Sequence, residues 1–136
     1  MIAKPLPMPD KDSAPYWEGL AAGELRVQRC ARCGTLRWPA RAICNRCRSF
    51  DADWVAMSGR GTIKSWIRTH QRFHPAFAED LPYVTLLVAI EEQADIQIVG
   101  APADPAIDPA IGTPVRAVFR DPQESPPILF WELDAS

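Results

Sequence analysis

No stretch of this 136-residue chain comes near the roughly 18 to 20 consecutive apolar residues that a membrane-spanning helix requires. Residues 1 to 12 carry lysine and proline but no apolar core of a secretory leader. Both absences point to a soluble, cytoplasmic protein. Histidine is scarce as well, and neither His70 nor His74 has a cysteine or serine placed near it as a nucleophile, so catalysis by this chain itself is not expected. No internal repeat is present beyond one short cysteine pattern. What the chain does have is 47% hydrophobic residues with both charge signs mixed in, the ordinary globular range in which disorder is not the default, and a length that fits one core plus one additional stabilising device.

The cysteines supply that device. Cys30 and Cys33 form one Cys-x-x-Cys pair and Cys44 and Cys47 a second, ten residues further on. Without a leader the reducing interior favours thiolates on a metal over two disulfides. Each pair turns the backbone so that two sulfurs face one side, the arrangement tetrahedral zinc takes with bonds of about 2.3 Å. Iron is the chemical alternative for four thiolates. Four cysteine ligands leave no open position for water or substrate, so the expected role of the ion is structural.

Around this knot the chain divides into three parts: an arm and helix over 1–24, a zinc ribbon over 25–58 and a barrel over 59–136. The prolines of residues 1 to 15 predict an extended arm lying over another surface, a partner's being one candidate. Pro15, Gly23 and the spacing of Tyr16, Trp17 and Leu20 predict a short helix over 14–24. Leu25 to Cys30, Leu36 to Pro39 and Trp54 to Met57 read as ribbon strands. Five more are predicted at 62–70, 83–90, 96–101, 114–120 and 128–133, with the run from Val84 to Ile90 apolar enough to be covered on both faces. Pro102, Pro105 and Pro109 exclude a long helix between the third and fourth, leaving room for a single turn anchored by Ile107 and Ile111. The class is mainly β, with a five-stranded Greek-key barrel of OB type.

Charge is unevenly spread. Residues 24 to 72 hold eleven Lys or Arg against three acids, and the remainder four against fourteen. Such a basic segment suits an anionic ligand or an acidic protein surface. The candidates are Arg29, Arg32, Arg37, Arg41, Arg46 and Arg48 in the ribbon, for phosphates or partner carboxylates, and Trp66 with Arg68 on the first barrel strand, for an adenine and a phosphate. Tyr16, Trp17 and Leu20 are the candidate anchors for a partner, and either Phe130 or Trp131 should face outward at the C-terminal strand. Ribbons and OB barrels also serve single-stranded nucleic-acid binders. A pI near 5.6 and the lack of lysine-rich loops weigh against that alternative.

The ordered run Tyr16-Trp17-Glu18-Gly19-Leu20, Gly23-Glu24-Leu25, Gln28-Arg29-Cys30-x-x-Cys33-Gly34, Pro39-Ala40-Arg41, Cys44-x-x-Cys47 and Ser58-Gly59-Arg60-Gly61-Thr62-Ile63 resembles a known family. So do Pro82-Tyr83-Val84 and Ile111-Gly112-Thr113-Pro114-Val115. The chain is similar to the rubredoxin-like zinc-ribbon plus OB-fold family of acyl-CoA-associated accessory proteins (domain of unknown function 35). The resemblance implies a non-catalytic subunit that completes a thiolase-like, aldolase or hydratase enzyme acting on acyl-CoA thioesters, with possible contact to the coenzyme A nucleotide. The chain departs from the expected pattern at Glu91-Glu92-Gln93-Ala94-Asp95, where a Glu-Gly turn is anticipated.

Overall fold

The computed structural model describes residues 3–121, 123 and 128–134. Helix α1 spans Ala14–Ala21, three residues shorter than the sequence suggests. Its end is set by the Ala22 N–H, which bonds back to Glu18 and Gly19, and by Gly23 at φ 81°, a left-handed conformation that glycine adopts without a Cβ clash. Next come β1 (Arg26–Cys30), β2 (Leu36–Arg37) and β3 (Ala52–Ala56), an antiparallel sheet in the order β2-β1-β3. Strands β4 (Arg60–Thr69), β5 (Tyr83–Ile90), β6 (Gln97–Pro102), β7 (Pro114–Val118) and β8 (Phe130–Leu133) close a barrel in the order β4-β5-β6-β8-β7. The five predicted barrel strands are all present: β5 has the expected ends and the other four differ at one end or both.

Alternation decides which faces are inside. Along β5, Val84, Leu86, Val88 and Ile90 are buried while Tyr83, Thr85, Leu87 and Ala89 are half-buried, so the strand covers one face of a core and not two as its apolar run implied. A bulge in β4 reverses its alternation: Ile63 pairs with Val88, but Lys64 is extra and Ser65 pairs with Leu87. Before the bulge Gly61 and Ile63 are buried; after it Trp66, paired with Leu86, packs against the core, while Arg68, paired with Val84, stays exposed. At Gly61 the strands come so close that a Cβ would sit 2.5 Å from the Ala89 carbonyl oxygen, which reserves the position for glycine.

Several expectations are corrected by this packing. Phe130 and Trp131 are both buried, at 7% and 0% exposure, because Phe130 is roofed by the Arg120 guanidinium 3.6 Å from its ring centroid. Ile107 packs against the core after a turn in which its N–H reaches the Asp104 carbonyl, but Ile111 is 71% exposed and anchors nothing. The N-terminal arm lies on this chain's own barrel: Lys4 Nζ is 2.7 Å from the Asp80 carboxylate.

The helix, ribbon and barrel share one core. Tyr16 and Leu20 from α1 and Leu25 and Val27 from the ribbon belong to the same buried cluster as Ile63, Val88 and Trp131 of the barrel. Tyr16 also packs its ring on Trp38, 4.4 Å between centroids, and burial raises its hydroxyl pKa above the usual value. The unexpected turn after β5 joins the two sheets. The Gln93 amide accepts from the Leu36 N–H (3.2 Å) and donates to the Leu36 carbonyl (3.0 Å), while the Glu92 carboxylate accepts from the Ser58 N–H.

Leu20→Ala is therefore expected to destabilise the protein by about 2 to 4 kcal/mol, the cost of a cavity in a shared core. Leu6→Ala, at a position 59% exposed, should stay within about 0.5 kcal/mol. Urea unfolding midpoints of the two variants test the contrast.

Candidate metal centre and the surface around it

Two knuckles of the same construction bring the four sulfurs together. In the first, the Gly34 N–H bonds to the Cys30 carbonyl and the Cys30 N–H to the Thr35 carbonyl, each at 2.9 Å. In the second, the Arg48 N–H bonds to the Cys44 carbonyl and the Cys44 N–H to the Ser49 carbonyl, again at 2.9 Å. Both turns need a left-handed residue after the second cysteine. Gly34 meets the need at φ 77°, whereas Arg48 adopts φ 64° against the steric preference of a residue with a Cβ.

All four sulfurs lie within 4.8 Å of one another, with Cys30 to Cys47 at 3.5 Å and Cys33 to Cys44 at 3.6 Å. Ligands about 2.3 Å from one ion in a tetrahedron are about 3.8 Å apart, so the donor set fits a single four-coordinate metal. None of the four is in a disulfide. The surroundings favour thiolates. The backbone N–H groups of Cys47 and Arg46 lower Cys44 to about 6, and that of Cys33 does most to lower Cys30. The Ser49 N–H lowers Cys47, but burial and the three neighbouring sulfurs together outweigh it and push this thiol up to about 11, a repulsion between sulfurs that a dication held among them relieves. Thr35 Oγ1 lies 3.2 Å from Cys33 Sγ, within donating distance of a thiolate. The four-cysteine group has the donor set of a closed, structural metal site.

The other candidate residues are dispersed. Two of the six ribbon arginines are used internally: Arg29 forks onto Asp53 at 2.9 and 3.1 Å, and Arg37 is buried, bonding to Gln28 Oε1 and the Arg41 carbonyl. Arg41 holds that loop through its backbone, its N–H on Gln28 Oε1, and its side chain is exposed together with those of Arg32, Arg46 and Arg48. Trp66 packs against the core from the inward side of β4, with Arg68 over its ring at 5.2 Å and 4.0 Å from Asp108. Its ring is not laid on the outer face, where a base would stack. His74 caps a 3-10 turn over Pro75–Asp80, its Nδ1 accepting from the Ala76 N–H, and His70 is exposed. Of the helix residues proposed to grip a partner, Tyr16 and Leu20 are each 4% exposed and committed to the chain's own core. Trp17 is half-buried, its indole N–H on Ser13 Oγ. Sequence patterning missed Gln93, because a polar side chain bonding to a backbone 57 residues away has no local signature.

Comparison with known proteins covers both sheets. Residues 17–53 match the family described as "ChsH2, rubredoxin-like zinc ribbon domain" and residues 54–120 the one described as "ChsH2, C-terminal OB-fold domain". The "Probable enoyl-CoA hydratase alpha subunit" of Thermomonospora curvata is 42% identical over 89 residues, 65% of this chain and 27% of that protein. The chain thus spans about a quarter of that relative's length. The "DUF35 domain-containing scaffold protein" of Methanothermobacter thermautotrophicus is 35% identical over 105 residues, 74% of each chain. Among solved structures, a chain of an "Ltp2-ChsH2(DUF35) aldolase" superposes with a TM-score of 0.79 at 33% identity, covering 93% of this chain and 98% of that one.

Replacing Cys47 by serine is expected to abolish stoichiometric metal and to leave the ribbon unfolded, since a four-thiolate ion contributes folding free energy directly. Metal content and circular dichroism check it. Arg48→Gly should act in the opposite sense, relieving the left-handed strain by up to about 1 kcal/mol and slowing metal loss to a chelator.

Proposed function

Because the chain belongs to the DUF35 family, in which a ChsH2-type zinc ribbon is joined to an OB-fold domain, we propose that it is a non-catalytic accessory subunit of an acyl-CoA-processing enzyme. The observation that carries this reading is its likeness along nearly the full length of a chain in an aldolase structure, at 33% identity. The names of other relatives, a hydratase alpha subunit and a scaffold protein, support the same class of role. The partner is then a thiolase-like protein, an aldolase or a hydratase. The ion is zinc, in keeping with the family description and the four-thiolate donor set, with iron as the chemical alternative.

The chemistry within the chain agrees. A closed sulfur site cannot activate water, and among the described residues no hydroxyl or thiol outside that site lies within hydrogen-bonding reach of a histidine. Contact with the coenzyme A nucleotide falls to the exposed ribbon arginines such as Arg41 and to Arg68 beside the half-buried Trp66. A single-stranded nucleic-acid role has less support, because the inward turn of Trp66 removes the expected stacking platform.

Co-expression of the tagged chain with the acyl-CoA enzymes of its own genome is expected to yield a stable complex with one of them, containing one zinc per chain, while the chain alone shows no turnover on acyl-CoA substrates. Turnover by the isolated chain, lost on a point substitution within it, would refute the accessory role. Tight binding to oligonucleotides that falls by about 10³ between roughly 50 and 200 mM salt would favour the rival reading.

A further inference from the structure

The barrel wall opens between the start of β5 and the end of β6. Their pairing ends at Leu86 opposite Gly100, and from Ala101 onward β6 pairs with β8 instead. Among the described residues, Tyr83, Val84 and Thr85 therefore have no strand partner on that side. A groove of about 830 Å³ follows the split, within the size range of small-ligand and peptide sites. Phe77, Tyr83, Pro82, Pro102 and Phe130 line it. Arg120, at its wall, is fixed by stacking on Phe130 and by a 3.1 Å bond from Nη2 to the Ala103 carbonyl.

Part of the groove is lined by the chain's own N-terminal arm, Lys4-Pro5-Leu6-Pro7. Lys4 pairs with Asp80 and lies 5.5 Å from the Phe77 ring centroid. Both partners of that ion pair are nearly half exposed, a setting in which such pairs hold weakly. Leu6 and Met8 are mostly exposed, and among the described residues no backbone–backbone hydrogen bond involves residues 3 to 9. Prolines 5, 7 and 9 lack the N–H groups that the open edge of β5 would need for pairing.

We propose that this groove is a recognition site for an extended apolar peptide segment, carrying a basic residue, from a partner protein, and that the arm, which forms one wall of it, is displaced when that segment binds. The arm displays the chemistry the groove accepts: an extended backbone against aromatic walls and a cation on Asp80. A segment with N–H groups where the arm has prolines gains ladder bonds along Tyr83–Thr85 that the arm cannot make, so exchange favours the incoming chain. The inference deepens the accessory-subunit reading and rests on it only for the source of the segment.

The test uses the full chain and a fluorescent peptide of residues 3–12, followed by anisotropy. In the Lys4→Glu, Leu6→Ser variant the arm loses its ion pair and its apolar contact while Asp80 stays free for the peptide. Peptide binding should be at least ten-fold tighter to this variant than to the unaltered chain, and adding Asp80→Lys should reverse the gain. Circular dichroism and metal content confirm that the exposed substitutions leave the fold intact. Equal affinity for both chains, no binding to either, or indifference to Asp80→Lys would overturn the proposal. So would a concentration-dependent dimer of the unaltered chain that Lys4→Glu dissolves, since a second copy's arm would then be the occupant. No partner enzyme enters the measurement, so its failure is distinct from failure to co-purify one.

Discussion

Four sulfurs within 4.8 Å of one another repel when all are ionised, and a dication is what makes their convergence favourable. The ribbon depends on that neutralisation. It contributes few large buried side chains of its own beyond Leu25 and Val27, and those two are shared with the barrel. A bound ion would fix the two knuckles, the first knuckle ends β1 at Cys30, and β1 carries Val27 and Gln28 into place. Gln28 in turn gathers the Arg37 guanidinium and the Arg41 N–H, holding the loop that leads to the second knuckle.

The second organising fact is the common core. A helix of eight residues has little stability of its own, and α1 is kept by burying Tyr16 and Leu20 in the core that ribbon and barrel share. Gln93 and Glu92 fasten the other side, where ribbon strand and barrel turn meet through hydrogen bonds instead of apolar contact. Ribbon and barrel therefore present one continuous surface to any partner, with the exposed arginines of the second knuckle on one part and the arm-covered groove on another.

Much of this is legible in the residues. The cysteine spacing gives the metal site because ligand geometry is local, and the five barrel strands follow from β-branched runs bounded by glycine and proline. The missing parts are those in which distant chain segments decide. Phe130 and Trp131 sit next to each other and so face opposite sides, yet both are buried, because Arg120 covers the outer one. Trp66 reads as an outward platform only if the alternation of β4 is unbroken. Tyr16 and Leu20 form an apolar stripe that suits a partner or a private core equally well, and only the position of the barrel tells them apart. Arg48 hides the second knuckle's likeness to the first, since a glycine there would have advertised the turn.

The bulge at Lys64 has a consequence of a different kind. One surplus residue divides β4 into two segments of opposite phase, so the core takes Gly61 and Ile63 from odd positions before it and Trp66 from an even position after it. Substitutions anywhere along the strand leave that phase untouched. Loss of the single residue would act as a frameshift in space, turning Trp66 to solvent and Ser65 and Ile67 toward the core. Variation in this strand is thus constrained in length far more tightly than in composition.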